Sequence, residues 1–126
     1  MIYTDQAAKR SHSVHSRWDV LFRDAKPRFL AAVKELPKLV DRAVEALQAG
    51  DAKGFGKLLD RGFDLRLATC GTSDTDREVH EFCERHGMPS NQTGSGGAAV
   101  LVYESMAQIR ALQRDLPDDW KLEVIR

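Results

Sequence analysis

A glycine-rich turn that runs directly into an apolar strand is the feature that most constrains the fold of this chain. The segment at 92–102 reads QTGSGGAAVLV, with glycines at 94, 96 and 97. Glycine adopts backbone conformations that other residues avoid, so this turn lets a second group approach the backbone closely. A lysine-bearing G-x-x-x-x-G-K-[ST] loop is excluded because Ala98 follows the last glycine, and G-x-G-x-x-G is excluded because a strand stands where a helix should begin.

Before this turn, apolar periodicity predicts one short strand and a series of helices. The strand is Ile2–Thr4, and a helical pattern begins at about Arg17. The longest pattern ends at Gly50 and contains Pro37, which predicts a kink or a join between two shorter helices. Its apolar residues recur at spacings of three and four: Leu30, Val33, Pro37, Val40, Val44 and Leu47.

Capping residues predict where the remaining helices begin. Asp51 is a good N-cap for a helix that runs towards a turn at 70–73, and either Ser73 or Thr75 can cap the next helix, which Gly87 ends. Ser105 and Gln108 have capping-box spacing and open a last helix. Strands are predicted at 88–93, at 98–103 and at 120–124, the second of them buried and apolar on both faces.

These elements predict a single α+β domain that covers residues 1–126. Four short, mostly antiparallel strands with helices packed on one face make an open two-layer sandwich. A chain of 126 residues has room for one domain with a modest core.

Composition excludes several classes of function. Lys and Arg together number 19, and so do Asp and Glu. The chain therefore has no net positive charge that would attract nucleic acid or an anionic membrane. No apolar run reaches the roughly 18 residues of a membrane span. The N-terminal MIYTDQAAKR lacks the apolar region of a signal peptide, which predicts a cytoplasmic protein.

The two cysteines admit alternative interpretations. Cys70 and Cys83 could form a disulfide, but a reduced pair is the favoured state in a cytosolic chain. Cys83 lies one helical turn from both His80 and His86, so a metal face is conceivable. The same cysteine also fits the apolar stripe of an amphipathic helix, and this interpretation is favoured, so no metal site is predicted.

Two interpretations of the glycine loop stay open on chemistry alone. Successive amide N–H groups at Gly94, Ser95, Gly96 and Gly97 can form a concavity that binds an anion, and the Thr93 hydroxyl adds a donor. In the other interpretation the glycines only turn a hairpin between two strands.

The passage from Asp51 to Val102 resembles the C-terminal domain of the GHMP kinases, the superfamily of galactokinase, homoserine kinase and mevalonate kinase. The resemblance is carried by AGDAKGFGKLLDRGFDL at 49–65, by the helix at 73–86, and by TGSGGAA at 93–99 in place of a TGAGGGG-type loop. Together with SHSVHSR at 11–17, the loop looks most like the glucuronokinase and sugar-kinase branch. The chain departs from the family in having no lysine before the loop, and in having Ala98 and Ala99 where the family has glycines.

The resemblance implies a function for only part of an enzyme. It implies a four-stranded antiparallel sheet, and a glycine loop bordering the cleft where ATP phosphates and a sugar hydroxyl meet. ATP and Mg would serve the complete enzyme, whose N-terminal domain with its own phosphate-binding loop has no counterpart here. The chain is then the substrate-side half of a sugar or sugar-acid kinase, inactive alone, with the missing half or a second copy as its partner. Ser11, His12 and His15 are the candidate substrate contacts outside the loop.

A different class of function also fits the sequence. A non-catalytic ligand-binding or regulatory domain would use the loop as a turn or as a small-anion site. Asp74 and Asp76 are interpreted as charges that favour a helix start rather than as magnesium ligands, and Arg61 and Arg66 as residues on a solvent-facing helix surface.

Overall fold

Helices make up most of the polypeptide, and four short strands form one sheet beside them. The structure is a computed structural model that describes residues 1–4, 11–94 and 96–125, with the side chains of 11–15 left out. In this part of the chain the elements are β1 (Ile2–Thr4), α1 (Ser11–Asp24), α2 (Lys26–Gln48), α3 (Ala52–Cys70), α4 (Asp74–Arg85), β2 (Ser90–Gln92), β3 (Ala98–Leu101), α5 (Met106–Asp115) and β4 (Trp120–Leu122).

Helices α3, α4 and α5 begin at capping residues that the sequence predicts, whereas α1 begins at Ser11, before the predicted start at about Arg17, and α2 has no side-chain cap. The Asp51 carboxylate accepts a hydrogen bond from the Gly54 N–H at 2.8 Å and caps α3. Ser73, not Thr75, caps α4, and Ser105 forms a complete capping box with Gln108 at the start of α5. Each cap satisfies backbone donors that the first helical turn leaves without partners.

The sheet has the strand order β2-β3-β1-β4, and every pairing in it is antiparallel. Ile2 of β1 lies opposite Ala99 of β3 on one side and opposite Leu122 of β4 on the other. The first strand of the chain therefore occupies an inner position between two strands that come much later. The α+β class with a four-stranded antiparallel sheet is confirmed.

The core lies between one face of the sheet and helices α4 and α5. Its buried members are Ile2, Val79, Phe82, Cys83, Met88, Ala99, Leu101, Ile109 and Leu112. The opposite face of β3 is open, since Val100 is 37% exposed. The expectation that β3 is buried on both faces is therefore wrong, because helices cover this part of the sheet from one side only.

Helix α2 is one continuous helix through Pro37, so the predicted join between two helices is absent. It packs against α3 and α1, and α3 in turn lies along the edge strand β2. The residues that α2 turns towards its neighbours are Phe29, Ala32, Leu36, Leu39, Ala43 and Ala46, all buried or half-buried. The apolar repeat predicted from the sequence, which runs from Leu30 to Leu47, is offset from these residues by one position, and its members are exposed.

Both cysteines are free, so the disulfide alternative does not occur in this structure. Cys83 is fully buried in the core beside Val79 and Phe82, as its place on the apolar stripe of α4 predicts. Among the described residues, no group of three or more His, Cys, Asp or Glu side chains is arranged to hold a metal ion. None of the described helices combines the length and the hydropathy of a membrane span.

Candidate functional site

The glycine loop, residues 93–97, connects β2 to β3 as a tight hairpin. The Thr93 N–H donates to the Ala98 carbonyl at 2.8 Å, and the Gly96 N–H donates to the Thr93 carbonyl at 3.0 Å. Gly94, Gly96 and Gly97 have φ values of 51°, 105° and 87°, which lie in the region that side chains disfavour. The three glycines are therefore required by the backbone path of the loop itself.

Asp76 in the first turn of α4 anchors the C-terminal end of the loop. Its carboxylate accepts from the Gly97 N–H at 2.7 Å and from the Ser73 hydroxyl at 2.6 Å, and only 6% of the residue is exposed. A Cβ placed on Gly96 would come within 2.5 Å of a carboxylate oxygen of Asp76. Glycine at 96 thus allows the buried carboxylate to approach the loop.

Arg66 of α3 holds the other side of the loop. Two nitrogens of its guanidinium donate to the Gly94 carbonyl at 3.0 and 3.1 Å. Nearby, the Thr72 hydroxyl donates to the side-chain oxygen of Gln92 at 2.7 Å, just before the loop. The loop is therefore held between the end of α3 and the start of α4. Arg66, interpreted from the sequence as a residue on a solvent-facing helix surface, binds the loop instead.

These internal contacts determine which donors the loop still offers. The amides of Gly96 and Gly97 already donate within the protein. The Gly94 N–H has no acceptor among the described residues, and Gly94 is exposed. Ser95 lies outside the described residues. The Thr93 hydroxyl donates to the Ala98 carbonyl at 3.3 Å.

A buried hydroxyl without a partner lies next to the loop. The Thr4 N–H donates to the Gly97 carbonyl at 3.1 Å, but no group in the described part of the chain pairs with the Thr4 hydroxyl oxygen. Buried polar atoms normally have a hydrogen-bond partner, so the Thr4 hydroxyl is an exception among the described residues.

A hydrogen-bond network beneath β2 fixes the strand that leads into the loop. The Ser90 N–H donates to the Asp60 carboxylate at 2.9 Å, and the Ser90 hydroxyl is 2.9 Å from Nδ1 of His80. The His80 ring stacks on Phe63, with ring centres 3.7 Å apart. His80 on α4 therefore contacts both α3 and β2. These contacts do not support the alternative interpretation in which His80 and Cys83 share a metal-binding face.

A cavity of about 360 Å³ lies between α1 and the end of α3, one helical turn beyond Arg66. It is lined mainly by apolar atoms, with Arg17 and Cys70 among the lining residues. Burial raises the pKa of the Cys70 thiol, while the positive charges of Arg66, Arg17 and Arg28 act in the opposite direction. The cavity therefore combines a mainly apolar wall with one cationic side chain, that of Arg17.

The other predicted substrate contacts lie at the beginning of α1. The backbone of Ser11, His12 and His15 is helical there, and their side chains lie outside the described residues. Asp74 and Asp76 both stand in the first turn of α4, as predicted, but Asp76 is buried and bound to the loop. Sequence reasoning missed Asp76 and Arg66 as loop anchors, because the pattern that placed them on helices says nothing about which loop those helices face.

Comparison with curated proteins finds relatives of much greater length. The chain is 28% identical over 119 residues to probable glucuronokinase 2 of Arabidopsis thaliana, and 28% identical over 119 residues to glucuronokinase 1 of the same plant. Both matches cover 91% of this chain but only 32% and 33% of those proteins. The chain thus spans about a third of the length of these relatives. No family model matches it.

Comparison with solved structures settles the fold. The chain aligns with the crystal structure of L. major mevalonate kinase in complex with R-mevalonate at a TM-score of 0.77, over 90% of this chain and 36% of that one, with 22% identity. The chain resembles the C-terminal domain of a GHMP kinase. The resemblance predicted for the passage from Asp51 to Val102 is confirmed, and the loop 93–97 lies between β2 and β3 of this fold.

Proposed function

We propose that this GHMP-type domain is the substrate-side part of an ATP-dependent kinase for a sugar or sugar acid, and that it does not transfer phosphoryl groups alone. The supporting relatives are named glucuronokinases, and the chain spans only about a third of them. The observation that carries the proposal is the clamped glycine loop, in which Arg66 binds the Gly94 carbonyl, Asp76 binds the Gly97 amide, and Gly94 is exposed.

The contribution of the loop would be positioning and charge. Enzymatic phosphoryl transfer depends mainly on both, and the bound Mg-ATP would supply the phosphoryl group. The Gly94 N–H can donate to an anionic oxygen, and the Arg66 guanidinium beside it adds positive charge. Thr93, Gly96 and Gly97 shape the described part of this loop, and Ser95 stays a proposed contact of the bound group.

Among the described loop amides, only the Gly94 N–H lacks an acceptor in the described part of the chain, and one such donor suits a single anionic oxygen. The described residues contain no cluster of acidic side chains arranged for Mg. In this proposal ATP and Mg bind to the complete enzyme, with contacts from the two thirds of the glucuronokinases that these 126 residues do not match. Ser11, His12 and His15 at the start of α1 remain the proposed substrate contacts, and the cavity with Arg17 could take the apolar face and the carboxylate of a sugar acid.

A second candidate function is a non-catalytic domain in which the loop only turns the chain. The observation that favours it is that Gly96 and Gly97 already donate their amides within the protein. Such a domain would need glycine at 94 only for its backbone conformation, since the space around it is open.

A chimera tests the proposal and separates it from this alternative. The chain replaces the matching third of Arabidopsis glucuronokinase 1, and ATP-dependent phosphorylation of glucuronate is measured. Activity well above that of the truncated enzyme is expected. A chimera that unfolds cooperatively but shows no activity would contradict the proposal.

Two alanine variants of the chimera then test the loop. Gly94→Ala and Gly50→Ala place a Cβ in open space at similar φ values of 51° and 67°, so both carry the same backbone penalty. Gly94→Ala should lower kcat/KM about tenfold or more by crowding the bound oxygen, whereas Gly50→Ala should stay within about twofold. Equal activity of the two variants would favour the turn-only function.

A further inference from the structure

Helix α2 carries two adjacent apolar stripes, and only one of them is covered. The inner stripe packs against α3 and α1, with Ala32 and Leu39 buried. The outer stripe follows it by one residue at the same spacings of three and four. Its members are exposed, with Leu47 at 58% and Val40 at 60%: Leu30, Val33, Pro37, Val40, Val44 and Leu47.

The outer stripe has the repeat of a helix-packing seam. Alternating spacings of three and four give a mean period of 3.5 residues, which keeps one line of side chains towards a facing helix. From Leu30 to Leu47 the stripe is about 25 Å long at the helical rise of about 1.5 Å per residue. Apolar surface of this extent on a folded domain marks an interaction surface.

We propose that the outer stripe binds the same stripe of a second copy of this chain, with the two α2 helices antiparallel across a two-fold axis. The stripe is self-complementary in that orientation. Leu30 then lies beside Leu47 of the second copy, Val33 beside Val44, and Pro37 beside Val40. Every member of the stripe meets an apolar partner.

The charges that flank the stripe select the antiparallel orientation. Lys34 and Asp41 follow the stripe on its outer edge, both are exposed, and neither has an ion-pair partner within the described residues. In an antiparallel pair these edges face one another, so Lys34 of each copy lies near Asp41 of the other. In a parallel pair, the edge with Lys34 and Asp41 would face the other edge of the stripe in the second copy. That edge carries Phe29 and Leu36, which are apolar and half-buried against the rest of the domain.

This inference does not depend on the proposed kinase function, since it uses only α2 and its surface. The 126-residue chain is expected to sediment at twice the mass of a single chain at micromolar concentration. Val40→Lys should convert it to a monomer with unchanged helicity, because Val40 makes no core contact that the substitution would break. A wild-type chain that stays monomeric at every accessible concentration would overturn the inference and leave the stripe to another occupant.

Charge reversal tests the orientation. Lys34→Asp alone should weaken the dimer about tenfold in Kd, because both symmetric ion pairs become repulsive. Lys34→Asp combined with Asp41→Lys should restore the wild-type Kd, because the opposite charges face each other again. Failure of the double variant to recover would contradict the antiparallel orientation.

Cysteine cross-linking tests the register independently, in a Cys70→Ser background. Val33→Cys with Val44→Cys should give disulfide-linked dimers on oxidation. Within one helix these positions are about 16 Å apart, too far for an internal disulfide. Val33→Cys alone is the matched control, since it would cross-link a parallel pair but not the antiparallel one. Efficient cross-linking of the control alone would overturn the arrangement.

Discussion

At the residue scale, the contacts of Asp76 explain how a hairpin with three glycines keeps one conformation. The carboxylate binds the Gly97 amide, and the Ser73 hydroxyl donates to the same carboxylate at the N-cap of α4. A buried carboxylate of this kind is tolerated because these two donors bind it and the positive end of the helix lies beside it. The loop conformation therefore depends on a residue about 20 positions earlier in the chain.

Replacement of Asp76 should reveal this dependence. Asp76→Ala leaves the Gly97 N–H without its acceptor and is expected to lower the free energy of unfolding by about 3 kcal/mol. Asp74→Ala, in the same helical turn but exposed, is the control and should cost at most about 0.5 kcal/mol. Chemical denaturation measures both variants, and equal losses would show that Asp76 does not anchor the loop.

Cys83 should make the stability of the domain sensitive to alkaline pH. Burial raises the pKa of its thiol from 9.0 to about 11. The unfolded state therefore loses this proton first, so the stabilisation is complete below about pH 9 and declines as the pH rises towards 11. At pH 10 the loss from this group is about 1.4 kcal/mol.

The measurement is the free energy of unfolding between about pH 8 and pH 10, for the wild type and for Cys83→Ala. The variant is less stable throughout because it leaves a cavity, but its stability should fall less steeply with pH. Parallel pH profiles for the two proteins would rule out a contribution from Cys83.

At the element scale, the one-residue offset between the stripes of α2 decides which side chains stabilise the fold. Leu39 is 6% exposed and Val40 is 60% exposed, although they are neighbours in one apolar run. Leu39→Ala should lower the free energy of unfolding by about 2–4 kcal/mol, because it opens a cavity against α3. Val40→Ala should change it by about 0.5 kcal/mol or less when measured on the monomer. Similar effects at both positions would contradict the orientation of α2.

The same helix shows how far sequence reasoning reaches and why it stops. The caps at Asp51, Ser73 and Ser105 were predictable because each uses a local hydrogen bond within three residues. The orientation of α2 was not, because both stripes have the same period and only the packing against α3 distinguishes them. For the loop, the glycines predicted a tight turn, but the bonds from Asp76 and Arg66 depend on tertiary placement.

At the scale of the whole molecule, β1 links the beginning of the chain to its end. Its backbone pairs with β3 and β4, and Ile2 is fully buried in the core. Deletion of residues 1–4 should therefore separate β4 from the rest of the sheet and abolish cooperative unfolding, because an inner strand has no substitute. Tyr3→Ala, on the partly exposed side of the strand, is the control and should retain a cooperative transition. A cooperative transition in the deletion variant would show that the helices fold without the complete sheet.

The position of β1 also sets an order of events during synthesis. Helices α1, α2 and α3 form from neighbouring residues, so they can fold as the chain leaves the ribosome. The inner strand must wait for partners that are made about a hundred residues later, and contacts with such a large sequence separation slow folding. Until β3 emerges, both edges of β1 are open to pairing with other chains, and the edge that pairs with β4 stays open until the last strand is made, so the nascent domain is prone to aggregate throughout this interval.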